Sequence, residues 1–278
     1  MLNNEKIQSI AREQSALDMG CCAEDFLKRE AVVVDLRFSE QGRVYFKEPV
    51  ACNFVSYGSN VVAAARPEIK ALAAEYTARY EHYHLFEAPH CLWLHERLTK
   101  YGYKIGFMAY YFLPDVAKLR LLGCRFEMRL LHPEDFEGLY TKEWSNALCA
   151  RRRELDVLGA GAYDGNRLIG LAGCSRDCER MWQIGVDVLP EYRNQGVASA
   201  LTSRLALEIL ARGRVPFYCC AWSNVASARN AVKSGFVPSW AEMSVVPADV
   251  ADRANEVPGG TFAQAGAECL VSGAPAMV

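Results

Sequence analysis

The sequence predicts a mixed α/β protein built from two domains. Three observations carry that expectation. The chain has 278 residues, which suits two domains of about 100–200 residues each. Hydrophobic residues make up 51% and charged residues 23%, enough for a packed core and too apolar for a largely disordered chain. Apolar positions alternate between a spacing of two and a spacing near 3.6, and the pattern restarts near residue 124 after a connector at 115–123.

Residues 1–30 read as helical, with Ile7, Ile10 and Ala11 on one face and a short second helix at Asp25-Phe26-Leu27. Ala31–Val34 and Arg43–Phe46 read as strands, with Gln41-Gly42 as a turn. Cys52–Val55 and Val61–Ala64 look extended and are separated at Gly58. Pro67 and Pro89 suit the first turns of two helices, since a proline there costs no hydrogen bond. The first buries Ile69, Leu72, Ala73 and Tyr76; the second stops at Gly102. Lys104–Leu113 is an aromatic-rich strand ended by Pro114. Phe126–Leu131 is the next strand, and His132–Phe136 opens a helix. Leu158–Tyr163 and Arg167–Cys174 form a hairpin about Asp164-Gly165-Asn166. Trp182–Val188 is a strand, Gly196–Ala211 a helix, Val215–Trp222 a strand, Val225–Ser234 a helix and Trp240–Val246 a last strand. The domains expected are 1–120, an α/β domain, and 124–247, with 252–278 as a loosely attached tail rich in Gly, Ala and Pro.

The formal net charge is −2, from 31 basic and 33 acidic residues, so nothing marks a nucleic-acid-coating protein. The longest apolar run, Ile105–Leu113, is far shorter than the ~20 residues of a membrane helix. The first residues carry no apolar signal region. A cytoplasmic protein with no nucleic-acid and no membrane partner is expected. The 11 cysteines include two adjacent pairs and no Cys-x-x-Cys, which favours free thiols over disulfides or zinc. His82, His84, His90 and His95 crowd one segment, but Tyr80, Tyr83, Leu85 and Phe86 fill the gaps, so no metal is expected.

Val186–Ala198 carries the chemistry. A strand leads through a tight turn into a helix, whose first turn leaves backbone N–H groups unpaired at the positive end of its dipole. Gly196 lets a ligand approach the backbone, Ala198 keeps the next turn small and Arg193 adds a positive charge. An anion cradle and an ordinary strand-to-helix turn both fit this pattern.

Arg193-x-x-Gly196-x-Ala198, preceded by Val188-x-Pro190-x-Tyr192, resembles the acyl-CoA pyrophosphate loop of the GNAT (Gcn5-related N-acetyltransferase) superfamily. Asn224-x-x-Ser227 followed by Gly235-Phe236 is similar to the family's downstream segment. The resemblance spans residues 124 to about 247 and implies a GNAT fold there: a mixed, mainly antiparallel sheet flanked by helices, packed with the N-terminal α/β domain. A strand and helix at Val61–Tyr80, then a helix ending in Tyr101-Gly102-Tyr103 and a strand, resemble the back half of that fold without its loop. A degenerate GNAT-like half and an unrelated α/β domain are the two readings of residues 1–120.

The resemblance implies acetyl-CoA as co-substrate. Val186 and Val188 would pair with the pantetheine arm through their backbone. Arg193, Asn194, Gln195, Gly196, Val197, Ala198 and Ser199 would hold the pyrophosphate, and Asn224 and Ser227 would face the coenzyme arm. Asn224 also suits a helix N-cap. The reaction implied is direct attack of an amine on the thioester in a ternary complex. Many family members carry a tyrosine acid seven residues after the asparagine; here that position is Ala231, and Tyr218 or Ser227 would substitute, with Tyr218 the catalytic candidate. Trp182 stands where some relatives have a glutamate base, and Asp187 is the nearest acid but points away from the channel side. Asp177 and Glu179 read as solvated loop charges. A small-molecule amine is the expected acceptor, with residues 1–120 shaping its site and the chain a monomer or homodimer. The alternative is a non-catalytic acyl-CoA-binding sensor.

Overall fold

The computed structural model describes residues 2–44 and 50–256. In chain order the elements are α1 (Asn4–Met19), β1 (Val32–Asp35), β2 (Cys52–Ser56), β3 (Val62–Ala65), α2 (Pro67–Arg79), α3 (Ala88–Leu98), β4 (Tyr103–Pro114) and β5 (Glu127–Leu131). They continue as β6 (Asp156–Asp164), β7 (Arg167–Ser175), β8 (Met181–Val188), α4 (Val197–Ala211), β9 (Val215–Ala221), α5 (Val225–Lys233), β10 (Phe236–Pro247) and α6 (Ala248–Glu256). Two compact units result. One holds residues 2–11 with 110–239; the other holds 12–44 and 50–109 with 240–256. The sequence expectation placed a single boundary at 120–124; the units instead divide within α1, β4 and β10.

In the unit containing residues 110–239, β5, β6, β7 and β8 form an antiparallel run, and β9 then lies parallel to β8. A parallel neighbour needs a crossover, and α4 supplies it. Val197, Leu201, Leu205 and Ile209 repeat along one stripe of α4 and are buried against Ile169, Ala172 and Ile184 of the sheet. Each of these side chains stabilises the unit by roughly 1.5–3 kcal/mol through burial. A second core lies around Leu171, with Phe136, Trp144, Ala147 and Leu148.

In the other unit the strand order is β1-β3-β2-β10, with β1 parallel to β3 and the remaining pairs antiparallel. Ile69, Leu72, Ala73 and Tyr76 of α2 are buried as the helical spacing predicts, together with Leu94 and Leu98 of α3. A charged cluster is sealed inside this unit. The Arg43 guanidinium meets Asp18 at 2.6 Å and Glu242 at 2.7 Å, and all three side chains are at most 2% exposed. Trp240 Nε1 also donates to Glu242.

Three expectations need correction. Arg43 and Val44 form no strand, because the Arg43 N–H and side chain are both directed to Asp18; Tyr45 and Phe46 lie outside the described residues. His132–Phe136 opens no α-helix but a single tight turn, Pro133–Phe136, since Asp135 bonds back to the His132 N–H and Gly138 takes a left-handed φ of 81°. Residues 252–256, expected within the tail, complete α6, which buries Val250 and Ala251 against Val246; residues 257–278 lie outside the described residues.

Arg43→Met should destabilise this unit by about 3–5 kcal/mol, because it leaves two buried carboxylates without their cation. Urea unfolding followed by tryptophan fluorescence reads the loss. A change below about 1 kcal/mol would show that the carboxylates find other partners.

Candidate active site

The site is built around β8. On one side β8 pairs with β7 along Gln183–Val188. On the other, its pairing with β9 covers only Met181–Ile184 against Val215–Tyr218. Beyond that point the two parallel strands separate. The Leu189 N–H bonds back to Ile169 on β7, and ladder directions alternate along a strand. Val186 and Val188 therefore aim their N–H and C=O groups into the gap between β8 and β9. The Val188 carbonyl accepts from Arg193 Nε at 3.1 Å.

The turn after β8 opens the helix α4. Pro190–Tyr192 form one tight turn, and Asn194 and Gly196 then take left-handed φ values of 60° and 82°. Alternation into and out of that conformation directs successive N–H groups toward one concavity. From Asn194 to Ser199 no amide N–H has an acceptor among the described residues. The space beyond Gly196, where a Cβ would stand, is open. Arg193, Asn194 and Gln195 are exposed, while Val197 and Ser199 are buried and anchor the helix. The arrangement is a preformed anion cradle at a helix N-terminus.

Tyr218, the last residue of β9 paired with β8, marks the apex of the gap. It is 4% exposed, and its hydroxyl lies 2.8 Å from Ser227 Oγ. Burial raises its pKa, so the phenol holds its proton. Asn224 caps α5, its Oδ1 accepting from the Ser227 N–H at 3.1 Å. Ala231 is fully buried. Trp182 packs beside Ile184 and α4, and its buried Nε1 has no acceptor among the described residues. The structure thus gathers Tyr218, Asn224 and Ser227 at one end of the gap and the 193–199 loop beyond the end of β8.

The opposite face of β7 and β8 is covered by residues 133–149. Here sequence reasoning missed the central feature. Gly173 and Gly185 are cross-strand partners, and the backbone at Asn146 and Ala147 lies directly on them. A Cβ at Gly185 would stand 1.8 Å from the Asn146 carbonyl oxygen, and one at Gly173 would stand 2.1 Å from that of Ala147. Asp187 accepts from the N–H groups of Asn146 and Ala147 at 2.8 and 2.9 Å and from Asn146 Nδ2 at 2.6 Å. Burial nevertheless leaves its carboxyl pKa above the ordinary value. The available signal was the two glycines inside adjoining strands, which mark close backbone approach.

Two further placements differ from the sequence reading. Glu179 is an exposed loop charge paired with Arg214, but Asp177 is buried, accepts from Ser175 Oγ and lies 3.7 Å from Arg152. The histidine segment is engaged locally: His82 bonds to the Gly58 carbonyl, His84 to Glu87, and His90 stacks on Tyr80. Among the described residues no group of three His, Cys, Asp or Glu could hold a metal ion, and the ten described cysteines are free. No described helix is long and apolar enough to cross a membrane.

Residues 113–240 match the family model described as GNAT acetyltransferase. Over that region the chain is similar to GNAT acetyltransferases. Among solved structures, the chain is similar to a GCN5-related N-acetyltransferase-like protein from Streptococcus suis. That match is 22% identical and covers 54% of this chain and 65% of that one, with a TM-score of 0.42. An acetyltransferase of the GNAT family from Colwellia psychrerythraea is 16% identical over 52% of this chain and 57% of its own, with a TM-score of 0.40. A GCN5-related N-acetyltransferase from Kribbella flavida is 12% identical over 87% of this chain and 95% of its own, with a TM-score of 0.46. No curated protein matches the chain in sequence. The chain thus spans less than two thirds of the length of the first two of these solved structures.

One carboxylate of the unit that holds residues 110–239 gives a pH signature. Asp156 accepts from the Cys149 N–H at 2.8 Å, and burial pushes its pKa up to about 6. The folded chain therefore holds this proton between about pH 4 and 6, where the unfolded chain releases it. The contribution of Asp156 to stability is greatest below about pH 4 and is lost as pH rises through 6. Asp156→Asn should gain in Tm relative to wild type as pH rises from 4 to 7. A Tm difference independent of pH would contradict this assignment.

Proposed function

We propose that the GNAT domain binds acetyl-CoA in the gap between β8 and β9 and transfers its acetyl group to a primary amine. The observation that carries this reading is the run of unpartnered amides from Asn194 to Ser199 beside the backbone edge of Val186 and Val188. Those amides and Arg193 suit a pyrophosphate, which offers several acceptor oxygens and negative charge. The exposed edge of β8 suits the two amides of a pantetheine arm, which would add as a short strand. Asn224 and Ser227 stand at the Tyr218 end of the same gap.

In this reading the thioester lies near the end of the paired part of β8. A neutral amine attacks its carbonyl carbon, the oxyanion is met by backbone N–H groups of β8, the attacking nitrogen gives its surplus proton to solvent water, and the carbon–sulfur bond breaks to release the coenzyme thiolate. Tyr218 is the proposed proton donor to that thiolate, with Ser227 orienting its hydroxyl; its raised pKa keeps it protonated near neutrality. A small-molecule amine is favoured because residues 133–149 cover the face of β8 opposite α4 and narrow the approach.

The second reading is a sensor that binds acyl-CoA without turnover. Ala231 at the usual acid position favours it.

Gly196→Glu tests the cradle. The added carboxylate would occupy the open space and repel the pyrophosphate. Saturating acetyl-CoA is expected to raise the Tm of wild type and leave that of the variant unchanged; equal shifts would remove the loop from the site. Tyr218→Phe separates the two readings. Loss of about 10²-fold in kcat with unchanged acetyl-CoA affinity supports the enzyme. No transfer by wild type to any amine of a broad panel, despite tight acetyl-CoA binding, supports the sensor.

A further inference from the structure

The α4 face of the gap is closed by packed side chains, including Phe112, Ile184 and Tyr218. The other face of β8 is overlain by the segment around Asn146; Asp187 holds its Asn146 and Ala147 N–H groups, and Asp156 holds the following Cys149 N–H. We infer that Asp187 is a positioning residue that joins coenzyme occupancy and the order of Asn146 and Ala147 into one linked equilibrium. This rests on the coenzyme reading of the β8–β9 gap.

The chain of contacts is short. Asp187 stands between Val186 and Val188, the residues whose backbone faces the gap. Its carboxylate takes two consecutive backbone N–H groups and one side-chain amide from Asn146 and Ala147. Both carbonyl oxygens of these residues press on the bare Cα positions of Gly185 and Gly173. The seat is shaped by glycine and the lock is Asp187. A ligand strand laid along Val186 and Val188 restrains the backbone that carries the carboxylate. Restraint of Asp187 lowers the frequency with which the Asn146 segment opens, and by reciprocity a closed segment tightens the coenzyme. Arg193 provides a second link, since its charge acts on Asp187 while its Nε holds the Val188 carbonyl at the edge of the anion cradle.

A merely structural aspartate would hold the segment equally with and without ligand. Hydrogen–deuterium exchange of the full chain, with and without saturating coenzyme A, distinguishes the two. In wild type, coenzyme A is expected to slow exchange at the Asn146 and Ala147 amides by at least about tenfold. In Asp187→Ala both amides should exchange fast in either condition, and coenzyme A should bind more weakly. Asn146→Ala, which keeps both backbone bonds, should retain most of the slowing. Should Asp187→Ala fail to fold, Asp187→Val fills most of the same space and offers no acceptor to either N–H, with the same expected loss. Coenzyme A that binds wild type yet leaves these amides unchanged would overturn the inference alone, as would persistent protection in Asp187→Ala. Wild type that does not bind coenzyme A would overturn the proposed function and the linkage with it.

Discussion

A strand that leaves its ladder early must place its freed backbone groups somewhere. In the unit that holds residues 110–239 that strand is β8, and its separation from β9 after Ile184 and Tyr218 is the constraint on which the candidate site depends. The parallel pairing requires α4 as crossover, and the crossover sets the helix N-terminus just beyond the freed edge. One geometric event thus yields two adjacent features, an unpaired strand edge and a row of unpaired amides. Packing sustains both. Val197, Leu201 and Leu205 fix α4 against β6, β7 and β8, so the amides at its start are held without a ligand. Preorganisation of this kind is what makes such donors effective toward an anion.

The two faces of β8 are managed differently. Toward α4 its side chains Ile184, Val186 and Val188 belong to the apolar core. Toward residues 133–149 the strand offers Gly185 and Asp187, one with no side chain and one with a part-buried acceptor. The first face holds the fold rigid. The second holds a neighbouring segment by hydrogen bonds to one carboxylate, a connection that depends on position and can open.

Much of this was legible in the sequence. The helical stripe of α4, the hairpin of β6 and β7 and the strand-to-helix turn at 188–196 are each written in local periodicity and turn residues, and the structure places them accordingly. The unit boundaries were not legible, because β4 and β10 are continuous strands whose apolar pattern does not change where the chain passes between units. The burial of Asp177 and the Arg43 cluster were likewise hidden. Their partners, Arg152, Asp18 and Glu242, are remote in sequence or set by loops, and charge patterning along the chain does not show which charges meet. The Asp187 clamp needed the register of β7 against β8, which turns two isolated glycines into one flat seat.

The most direct test of the central claim compares acetyl-CoA with S-acetylpantetheine, which has the thioester and the pantetheine arm but no pyrophosphate, by isothermal titration calorimetry. If the 193–199 amides and Arg193 grip the pyrophosphate, acetyl-CoA binds at least about 100-fold more tightly, since several charge-assisted hydrogen bonds are lost with it. Equal affinities, or no binding of acetyl-CoA, would contradict the account.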